Sequence, residues 1–453
     1  MKNFKKLLSL ILVGVLVFAL VACGEDETSG SSDSTNESTS STSEKSEDAS
    51  STEKVVINFF TNVPDRSAGL GMLEQMNIDA FVADNPEYEV VVEALSEEPY
   101  KQKLKAYMAG NDMPDVWQQW AQTADLAPIA NGGYALELNP DDYSDYKFVA
   151  GALDAFTIDG KLYGLPKNTD YWVVYYNQQL FEEYGVEVPT TTDELIEVAK
   201  VFNDNDIIPM TYPGQEKWAS VAVLHTLAYR FTGSSQAIKD AVYAGTMSND
   251  NSGISSAVTE MTRLAEAGVF ASDFNTADYG SARNLFAQGQ AAMYTMGSWE
   301  MGLGSDTNID PAVRDNIRAI AFPTIEGQVG TSDQLVMWFG GGYSIAKDSA
   351  VQEGAKKLVD YIMQPSVYSK NAWATQTVMP PQNFAEYVTG DETDLQKDLV
   401  AILEAVTETS GSLYNDLHDS EYKVECEELT QKVLGGIISV EEYVKALDAE
   451  ITK

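Results

Sequence analysis

The chain is poor in three kinds of residue, and each shortage excludes a class of protein. Only 2 of its 453 residues are cysteines, too few for a disulfide framework. The 2 histidines, His225 and His418, lie in unrelated contexts and form no metal-binding or catalytic pattern. Lysine and arginine number 29 against 69 aspartates and glutamates, which leaves a formal net charge of -40. A chain this acidic repels nucleic acid and adsorbs poorly to an anionic membrane surface.

Sequence motifs of common enzymes are missing as well. The chain has no Gly-x-Ser-x-Gly elbow, no phosphate-binding loop and no His-Glu-x-x-His. Asp250-Asn-Ser-Gly253 resembles part of a calcium loop, but Ser248 and Thr259 stand where acidic ligands are needed, so a plain loop is favoured. Carboxylate pairs for glycoside hydrolysis are not readable from the sequence, because 69 acidic residues produce chance neighbours. We therefore expect no catalytic residue, metal or cofactor, with a glycan-acting enzyme as the alternative.

Long apolar runs are also scarce, and the one that stands out lies at the N-terminus. The basic segment Lys2–Lys6 precedes an apolar run from Leu7 to Ala22, which is the order of an export signal and short for a permanent membrane span. The run ends in Leu20-Val-Ala-Cys23-Gly24, which resembles the lipobox of bacterial lipoproteins. That resemblance implies removal of residues 1–22 and acylation of Cys23, palmitate included, and a diacylglycerol would hold the protein stably. An uncleaved membrane anchor is the alternative.

The segment after Cys23 has the composition of a flexible tether. Residues 24–53 are dominated by Ser, Thr, Asp and Glu and contain almost no apolar side chain. Such a segment cannot bury enough surface to offset the entropy of ordering, so we expect 23–53 to be a disordered, lipid-anchored tether. A folded body beginning near Val55 would then stand off the membrane. The lipobox resemblance implies that this is the extracellular face of the cytoplasmic membrane, and we expect a Gram-positive bacterium. The acidity of the chain suits solubility there, although a plain solvated surface explains it as well.

Hydrophobic periodicity in the rest of the chain indicates alternating strands and helices. Strands are predicted at Val55–Phe60, Tyr88–Ala94, Tyr171–Tyr176, Ala292–Met296 and Arg318–Phe322. Helical faces are predicted at Gly71–Ala83, Leu195–Phe202, Val351–Ile362, Tyr422–Leu429 (with Cys426 as a packed free thiol) and Val440–Ile451, with capping boxes at Thr191-x-x-Glu194 and Ser439-x-x-Glu442. This alternation over about 400 residues indicates an α/β protein with open sheets, whose ligands bind beyond the carboxyl ends of the strands. The length exceeds what one core organises, so two lobes are expected.

Four stretches follow one another along nearly the whole folded chain and together carry a family resemblance. They are Tyr107-Met-Ala-Gly-Asn-Asp-Met-Pro-Asp-Val116; Leu162-Tyr-Gly-Leu-Pro166 with Tyr175-Tyr-Asn177 and Pro189-Thr-Thr-Thr-Asp-Glu-Leu195; Phe286-Ala-Gln-Gly-Gln-Ala-Ala-Met293 with Gly297-Ser-Trp299; and Gly340-Gly-Gly-Tyr-Ser-Ile-Ala346. In this order they resemble family 1 extracellular solute-binding proteins, the maltose-binding-protein-like receptors of ABC importers.

The resemblance implies a two-lobe fold of periplasmic-binding-protein type II, with a hinge of about three chain crossings. Placed on this sequence, the crossings fall near Lys167–Asp170, Phe339–Gly342 and Val378–Pro381. Lobe one would comprise 54–168 and 342–378, and lobe two 169–341 and 379–453. The glycines at 340–342 fit either a rotating hinge or a close backbone approach to ligand, and the paired prolines at 380–381 would fix an exit direction.

All 7 tryptophans lie in the middle of the chain, several of them at predicted strand ends or loops. A sugar presents hydroxyls at its rim and C–H patches on its faces, so a receptor needs aromatic platforms with fixed donors and acceptors. The resemblance implies that Trp299 is the central platform, because Gly297-Ser-Trp299 matches a family position that lines the ligand cleft. Further candidates are Trp120, Trp172 and Trp218, and Trp117 is placed with Trp120 just after the Pro-Asp-Val strand. Core packing is the alternative for each tryptophan, and the stronger one for Trp338.

Polar candidates for the same site lie in loops and at the crossings. They are Asn62, Asp65, Arg66, Gln119 and Asp170, with Gly341 as a position of close approach. Carboxylate, amide and guanidinium groups can bond two sugar hydroxyls at once. A site that bonds a hydroxyl in this manner rejects analogues without that hydroxyl. The alternatives are a solvated loop residue or a helix cap and, for Asp65 with Arg66, a local ion pair.

The predicted function is capture of a sugar or short oligosaccharide by hinge closure and its delivery to the membrane permease of an ABC importer. No bond is made or broken in this process. We expect a monomer that contacts the membrane through its lipid anchor only and binds no nucleic acid. Alternatives are an extracellular glycan-acting enzyme, a receptor for a non-sugar solute and a cell-wall adhesin, against which the lack of an internal repeat counts.

Overall fold

The computed structural model describes residues 54–453, so the export signal, Cys23 and the tether predicted for 1–53 lie outside it. The strands are β1 (Val55–Thr61), β2 (Tyr88–Ala94), β3 (Val116–Trp120), β4 (Thr157–Ile158), β5 (Lys161–Leu162), β6 (Leu165–Pro166), β7 (Asp170–Asn177), β8 (Ile208–Thr211), β9 (Ala291–Gly297), β10 (Ile317–Ala321), β11 (Gln334–Leu335), β12 (Met337–Trp338), β13 (Gly341–Ile345) and β14 (Glu408–Thr409). The helices are α1 (Gly69–Asp84), α2 (Glu97–Gly110), α3 (Thr123–Asn131), α4 (Gln178–Tyr184), α5 (Thr192–Asn203), α6 (Trp218–Thr232), α7 (Ser235–Tyr243), α8 (Ile254–Glu266), α9 (Tyr279–Ala287), α10 (Pro311–Arg314), α11 (Gln352–Ile362), α12 (Tyr368–Ala374), α13 (Asp394–Glu404), α14 (Ser420–Leu434) and α15 (Val440–Ile451). Among residues 54–453, no helix combines the length and the apolar character that a membrane span requires.

Local signals in the sequence place several of these elements correctly. The predicted strand Tyr88–Ala94 is β2 with the same bounds, and the other predicted strands agree with observed ones to within a residue at either end. Both predicted capping boxes are formed, at Thr191 with Glu194 and at Ser439 with Glu442. In each, the hydroxyl accepts from the backbone N–H of the glutamate and the carboxylate bonds back, which satisfies two amide groups that the first helical turn leaves free.

The first sheet has the strand order β2-β1-β3-β13-β6. β1 pairs in parallel with β2 and β3, whereas β13 runs antiparallel to both β3 and β6. Buried side chains of the sheet, such as Ile57 and Tyr343, meet those of α1 and α11, such as Phe81 and Leu358. We call this cluster, drawn from residues 57–165 and 343–378, the first core.

The second sheet has the order β10-β7-β9-β8, with β12 beside β7. Every residue of β7 is buried, because protein covers both faces of this central strand. Helix α6 is buried along almost its whole length and packs under the sheet. Its side chains, together with those of the sheet and of the helices α8, α14 and α15, form the second core, drawn mainly from residues 171–338 and 379–447. Two sheets with separate cores confirm the predicted two-lobe α/β arrangement.

Three segments join the two cores and lie side by side, at residues 167–170, 339–342 and 378–381. The N–H of Lys167 donates to the carbonyl of Gly341 at 2.8 Å, and the N–H of Thr169 donates to the carbonyl of Met379 at 2.9 Å. These segments are the predicted crossings. The exact lobe boundaries and the role of the segments as a hinge stay predictions.

The glycines of the middle crossing serve close packing inside the protein. None of Gly340, Gly341 and Gly342 has a positive φ, so their backbone is open to other residue types. A Cβ at Gly340 would lie 2.5 Å from Oδ2 of Asp170, and one at Gly342 would lie 2.3 Å from the carbonyl oxygen of Leu165. Any side chain at these two positions would therefore push neighbouring segments apart.

One placement made from the sequence is wrong and one is confirmed. Trp117 and Trp120 do not follow the strand but are part of β3. Trp117 is fully buried there in a small satellite cluster with Phe60 and Tyr100. The strand continues past Val116 because residues Val116 to Trp120 pair with β13. Cys426 is the expected packed free thiol, buried in α14, where burial raises its pKa well above the usual value.

Candidate ligand-binding site between the two cores

Four tryptophans of the second core form a continuous group, which we call the tryptophan cluster: Trp172, Trp218, Trp299 and Trp338. They come from the start of β7, the first residue of α6, the 3-10 turn Ser298–Gly304 after β9, and the end of β12. Ring centroids lie 6.1 Å apart for Trp172 and Trp218, 5.8 Å for Trp218 and Trp299, and 5.9 Å for Trp299 and Trp338. The rings meet at steep angles, the edge-to-face arrangement that aromatic pairs favour. Trp338 is 7% exposed, in keeping with its expected core role.

Trp299 lies at the boundary between the two cores. Its half-buried indole packs against side chains of both the first and the second core. The preceding Gly297 makes this possible, because a Cβ there would lie 2.0 Å from the indole ring. The ring therefore folds directly over its own backbone and presents a flat apolar surface where the lobes meet.

The indole N–H groups of the cluster differ in their hydrogen bonds. Nε1 of Trp299 donates to the hydroxyl of Tyr279 at 2.9 Å. Nε1 of Trp172 and Nε1 of Trp218 are buried and have no partner within residues 54–453. A buried donor without a partner costs about 1–3 kcal/mol, so an acceptor brought by a ligand would be favoured at these two atoms.

The loop after β1 contributes polar groups from the first core. Oδ1 of Asn62 and Nη2 of Arg66 are buried without a hydrogen-bond partner among the described residues. Asp65 accepts from the N–H and the hydroxyl of Ser67 at 2.8 and 2.6 Å. These bonds and, to a smaller degree, the charge of Arg283 hold the pKa of Asp65 below its usual value. Arg283 lies on α9, next to the tryptophan cluster, and bonds Glu300.

A buried carboxylate anchors Arg66 and ties this loop to the first crossing. Nη1 of Arg66 lies 2.7 Å from Glu74 of α1, which also accepts from Nζ of Lys167 at 3.1 Å and from the hydroxyl of Tyr343 at 2.8 Å. Burial alone would raise the pKa of Glu74, but the charges of Lys167 and Arg66 hold it below its usual value. The local ion pair of Asp65 with Arg66 that the sequence left open is therefore wrong.

Gln119 and Trp120, the two candidates at the end of β3, differ in how much of the side chain is free to contact a ligand. Gln119 uses both amide atoms inside the protein: Oε1 accepts from the indole of Trp117 at 2.8 Å, and Nε2 donates to the carbonyl of Trp120 at 2.9 Å. Trp120 is half-buried, edge-to-face with Tyr100 at 5.6 Å and with Nζ of Lys101 5.5 Å from its ring centroid. Of the pair, Trp120 keeps the more accessible surface.

Asp170 and Gly341 lie where the crossings meet. The carboxylate of Asp170 is 4% exposed and accepts from the side-chain amide of Asn168 and from the N–H of Gly340, the latter at 3.2 Å. Burial raises its pKa to about 7, against the effect of these hydrogen bonds. A Cβ at Gly341 would lie 3.0 Å from Oδ1 of Asn168, an oxygen without a partner among the described residues. Contact of either residue with ligand stays a prediction.

Charged side chains also bridge the two cores. Nζ of Lys423 on α14 lies 2.7 Å from Asp125 on α3 and 2.7 Å from Asp416. The side chain of Lys423 is 18% exposed and that of Asp416 is 3% exposed, so this contact is largely shielded from water. A second pair, Lys147 with Glu386 at 2.8 Å, is about half exposed. Both pairs hold the lobes in contact.

Several residues around the site were not indicated by the sequence. Tyr279, Arg283 and Glu300 surround the edge of Trp299, and Lys423 joins the lobes. Their roles depend on partners far away in the chain, which no local pattern reveals. The one local signal is the i, i+4 spacing of Tyr279 and Arg283, which places both on one face of α9.

The site offers aromatic faces together with buried, unpartnered donors and acceptors from both lobes. These are groups for non-covalent capture of a small polar solute with apolar patches. Among residues 54–453, His, Cys, Asp and Glu side chains form no group of three or more that could hold a metal ion.

Comparison with known proteins assigns the family. Residues 72–368 match the family model of bacterial extracellular solute-binding proteins. The chain is 23% identical over 304 residues to the Multiple sugar-binding protein of Streptococcus mutans, covering 66% of each chain. It is 23% identical over 292 residues to the Melibiose/raffinose/stachyose-binding protein MelE of Bacillus subtilis, covering 61% of this chain and 63% of that one. The chain thus spans about two thirds of the length of these curated relatives.

Solved structures share the fold. A structure from work on xylan utilization by the thermophilic bacterium Caldanaerobius polysaccharolyticus matches with a TM-score of 0.79 at 25% identity, over 87% of this chain and 100% of that one. Since the family model covers more than half of the sequence, the chain belongs to the family of bacterial extracellular solute-binding proteins.

Proposed function

We propose that this protein is the saccharide receptor of an ABC importer. It would hold a sugar or short oligosaccharide between its two lobes and pass it to a membrane permease without chemical change. Open and closed forms would exchange, and a ligand that touches both lobes favours the closed form by its differential affinity. The crossings at 167–170, 339–342 and 378–381 would act as the hinge, and the lobes would have the boundaries predicted from the sequence.

The observation that carries this proposal is the position of Trp299. Its ring packs against both cores, so a ligand stacked on it is in reach of both lobes. Donors of Trp172 and Trp218 and polar atoms of Asn62 and Arg66 stand buried without partners among the described residues. Flat aromatic faces for C–H patches and free donors and acceptors for hydroxyls are what saccharide recognition needs.

The relatives support the same ligand class. One is named for multiple sugars, and the other for melibiose, raffinose and stachyose. Both relatives are 23% identical to this chain. At this identity they support the class of ligand, and the particular saccharide has to be found by experiment.

Thermal-shift measurements with a solute panel test the proposal. Ligand that binds only the folded state raises the free energy of unfolding by mass action, and with it the melting temperature. The gain is about 2.7 kcal/mol when the ligand concentration is 100 times Kd. We expect a saturable shift with mono- or oligosaccharides and none with amino acids or metal ions, with the saccharide recovered intact. Hydrolysis of the saccharide would contradict the receptor role, and a shift with another solute class alone would contradict a saccharide as the ligand.

Substitution of the platform gives a sharper test. Trp299→Ala should weaken saccharide binding by at least ten-fold, since loss of an aromatic contact surface costs about 2 kcal/mol or more at a central position. Trp299→Phe keeps a flat ring and should retain part of the affinity. Tyr243→Ala removes an aromatic ring that is 58% exposed on α7 and serves as the control. Unchanged binding by Trp299→Ala would exclude Trp299 as the platform.

We also propose that the protein is a monomer held at the extracellular face of the membrane by lipid on Cys23. Family membership supports an extracellular location, and the lipobox resemblance supports the anchor. Palmitate labelling in cells should mark the wild type and not Cys23→Ala, and the variant should appear in the medium. Equal labelling of both would contradict acylation at Cys23.

A further inference from the structure

The edge of the Trp299 indole is held by a directed chain of hydrogen bonds. Nε1 of Trp299 donates to the hydroxyl of Tyr279 at 2.9 Å, and that hydroxyl in turn donates to Oε1 of Glu300. The direction is unambiguous, because an indole nitrogen can only donate, a carboxylate can only accept, and a phenol has one proton.

An ion pair fixes the far end of this chain. Oε2 of Glu300 accepts from Nε of Arg283 at 2.9 Å, and the Glu300 side chain is 7% exposed. Arg283 is held in turn by Asp306 at 3.3 Å. Charge-assisted bonds of this kind are about twice as strong as neutral ones, so the hydroxyl of Tyr279 has a rigid acceptor.

The backbone places these groups with little freedom. Tyr279 and Arg283 lie one turn apart on α9, whose first turn is capped by Asp278 accepting from the N–H of Ser281 at 2.8 Å. Trp299 and Glu300 are neighbours in the 3-10 turn after β9. The ring of Trp299 is thus held at its edge by α9 and below by the backbone at Gly297.

We propose that Tyr279, Glu300 and Arg283 are positioning residues that hold Trp299 with its N–H engaged, so that it offers a ligand only its ring face. That the ring face contacts a saccharide rests on the proposed function. Within the same cluster the donors of Trp172 and Trp218 have no partner among the described residues, so they bond hydroxyls while Trp299 selects an apolar C–H patch. Saccharides that bind would therefore need hydroxyls that reach Trp172 and Trp218 and an apolar face that stacks on Trp299.

The first test needs no ligand. In full-length protein labelled with 15N-tryptophan, the 7 indole N–H signals report on each ring, and the signal lost in Trp299→Phe identifies Trp299. Tyr279→Phe removes one oxygen and should shift the Trp299 signal and speed its hydrogen exchange. Glu300→Gln keeps an acceptor without the charge and should shift the same signal less. Tyr443→Phe is the control, since this buried tyrosine of the second core bonds Tyr414 and Thr430 instead.

The second test is a double-mutant cycle on saccharide binding. Tyr279→Phe should weaken binding about five-fold in the wild-type background, the weight of one ordinary hydrogen bond. In the Trp299→Phe background it should have no further effect, because the phenyl ring has no N–H to hold. Tyr443→Phe should leave binding unchanged in both backgrounds.

The outcomes separate this inference from the function on which it rests. An unchanged Trp299 signal in Tyr279→Phe, or equal losses of affinity in both backgrounds, would overturn the positioning role. If the wild type binds no saccharide, the proposed function fails, and the indole signals alone decide whether these residues position the ring.

Discussion

Gly342 is a single position at which the backbone of the middle crossing meets the backbone of β6. In β13 it pairs with Gln119 on one side and Pro166 on the other. A Cβ there would lie 2.3 Å from the carbonyl oxygen of Leu165 and 2.4 Å from the ring of Phe156. Both neighbours are held in the first sheet and its core, so neither can move aside freely.

We therefore expect Gly342→Ala to lower the free energy of unfolding by about 1–3 kcal/mol, the usual cost of overpacking a core. Urea unfolding measures this change. Gly110→Ala is the control, because a Cβ at this helical position meets nothing closer than 3.9 Å and alanine is the better helix former. Equal stability of Gly342→Ala and wild type would show that the sheet relaxes around the added methyl.

Asp170 should make stability depend on pH. Burial raises its folded-state pKa to about 7 from the usual 3.8, so between these values the folded state holds a proton that the unfolded state has lost. Stability from this group is fully present below the unfolded pKa and falls as pH rises toward 7.

The difference in unfolding free energy between wild type and Asp170→Asn isolates this effect. As pH is lowered from 7 to 5, the free energy of unfolding of the wild type should rise relative to that of the variant, by up to about 1.4 kcal/mol per pH unit. Urea unfolding at both pH values tests this. Parallel pH dependence of the two proteins would contradict a buried, titrating Asp170.

At the residue scale, the sequence shows which side chains are present but not which of them contact one another. The choice of Trp299 came from a motif, and the structure places that ring between the cores, as such a role requires. The pairing of Arg66 could not be foreseen, since Glu74 lies on a helix where only its periodicity was visible. Likewise, nothing local distinguishes Tyr279 from the other tyrosines until α9 and β9 are placed together.

At the scale of elements, the contact of α3 with α14 links the lobes through Lys423. Asp125 is its partner in the first lobe and Asp416 its partner in the second. Opening of the lobes would separate Lys423 from Asp125 and leave Asp416 in place. The ion pair of Lys423 with Asp125 would therefore stabilise the closed form and not the open form.

We expect Asp125→Asn to speed saccharide release and weaken affinity by about three- to five-fold, since partly shielded pairs contribute roughly 1 kcal/mol. Stopped-flow dissociation measures this. Glu386→Gln breaks the more exposed pair with Lys147 and should change release less than two-fold, as exposed pairs contribute little. A larger effect of Glu386→Gln than of Asp125→Asn would contradict the assignment.

Elements with strong local signals were predictable, and those made by pairing were not. The capping boxes before α5 and α15 fix their first turns from four residues each. Short strands such as β6 and β12 exist only because β13 and β7 lie beside them. Periodicity needs a longer run than two residues to register, so these strands and the order of the sheets became visible only in three dimensions.

For the whole molecule, ligand should change the distance between lobes. Contacts such as Lys423 with Asp125 join the lobes in the structure, and under the proposed hinge closure they belong to the closed form. Small-angle scattering of the ligand-free protein should give a larger radius of gyration than the saccharide-bound protein, and Trp299→Ala should stay expanded at the same saccharide concentration. Identical scattering of wild type with and without bound saccharide would contradict closure.

The place of β13 in the first sheet also dictates when this protein can finish folding. β13 lies between β3 and β6, yet it is made some 175 residues after β6 along the chain. Until Gly341–Ile345 has emerged, the edges of β3 and β6 that it joins have no neighbour, and the first lobe cannot be completed by the residues synthesised first. Contacts this distant in sequence form slowly. Membership of an extracellular family implies that this polypeptide leaves the cytoplasm. Late synthesis of β13 would leave the first lobe incomplete for most of that passage.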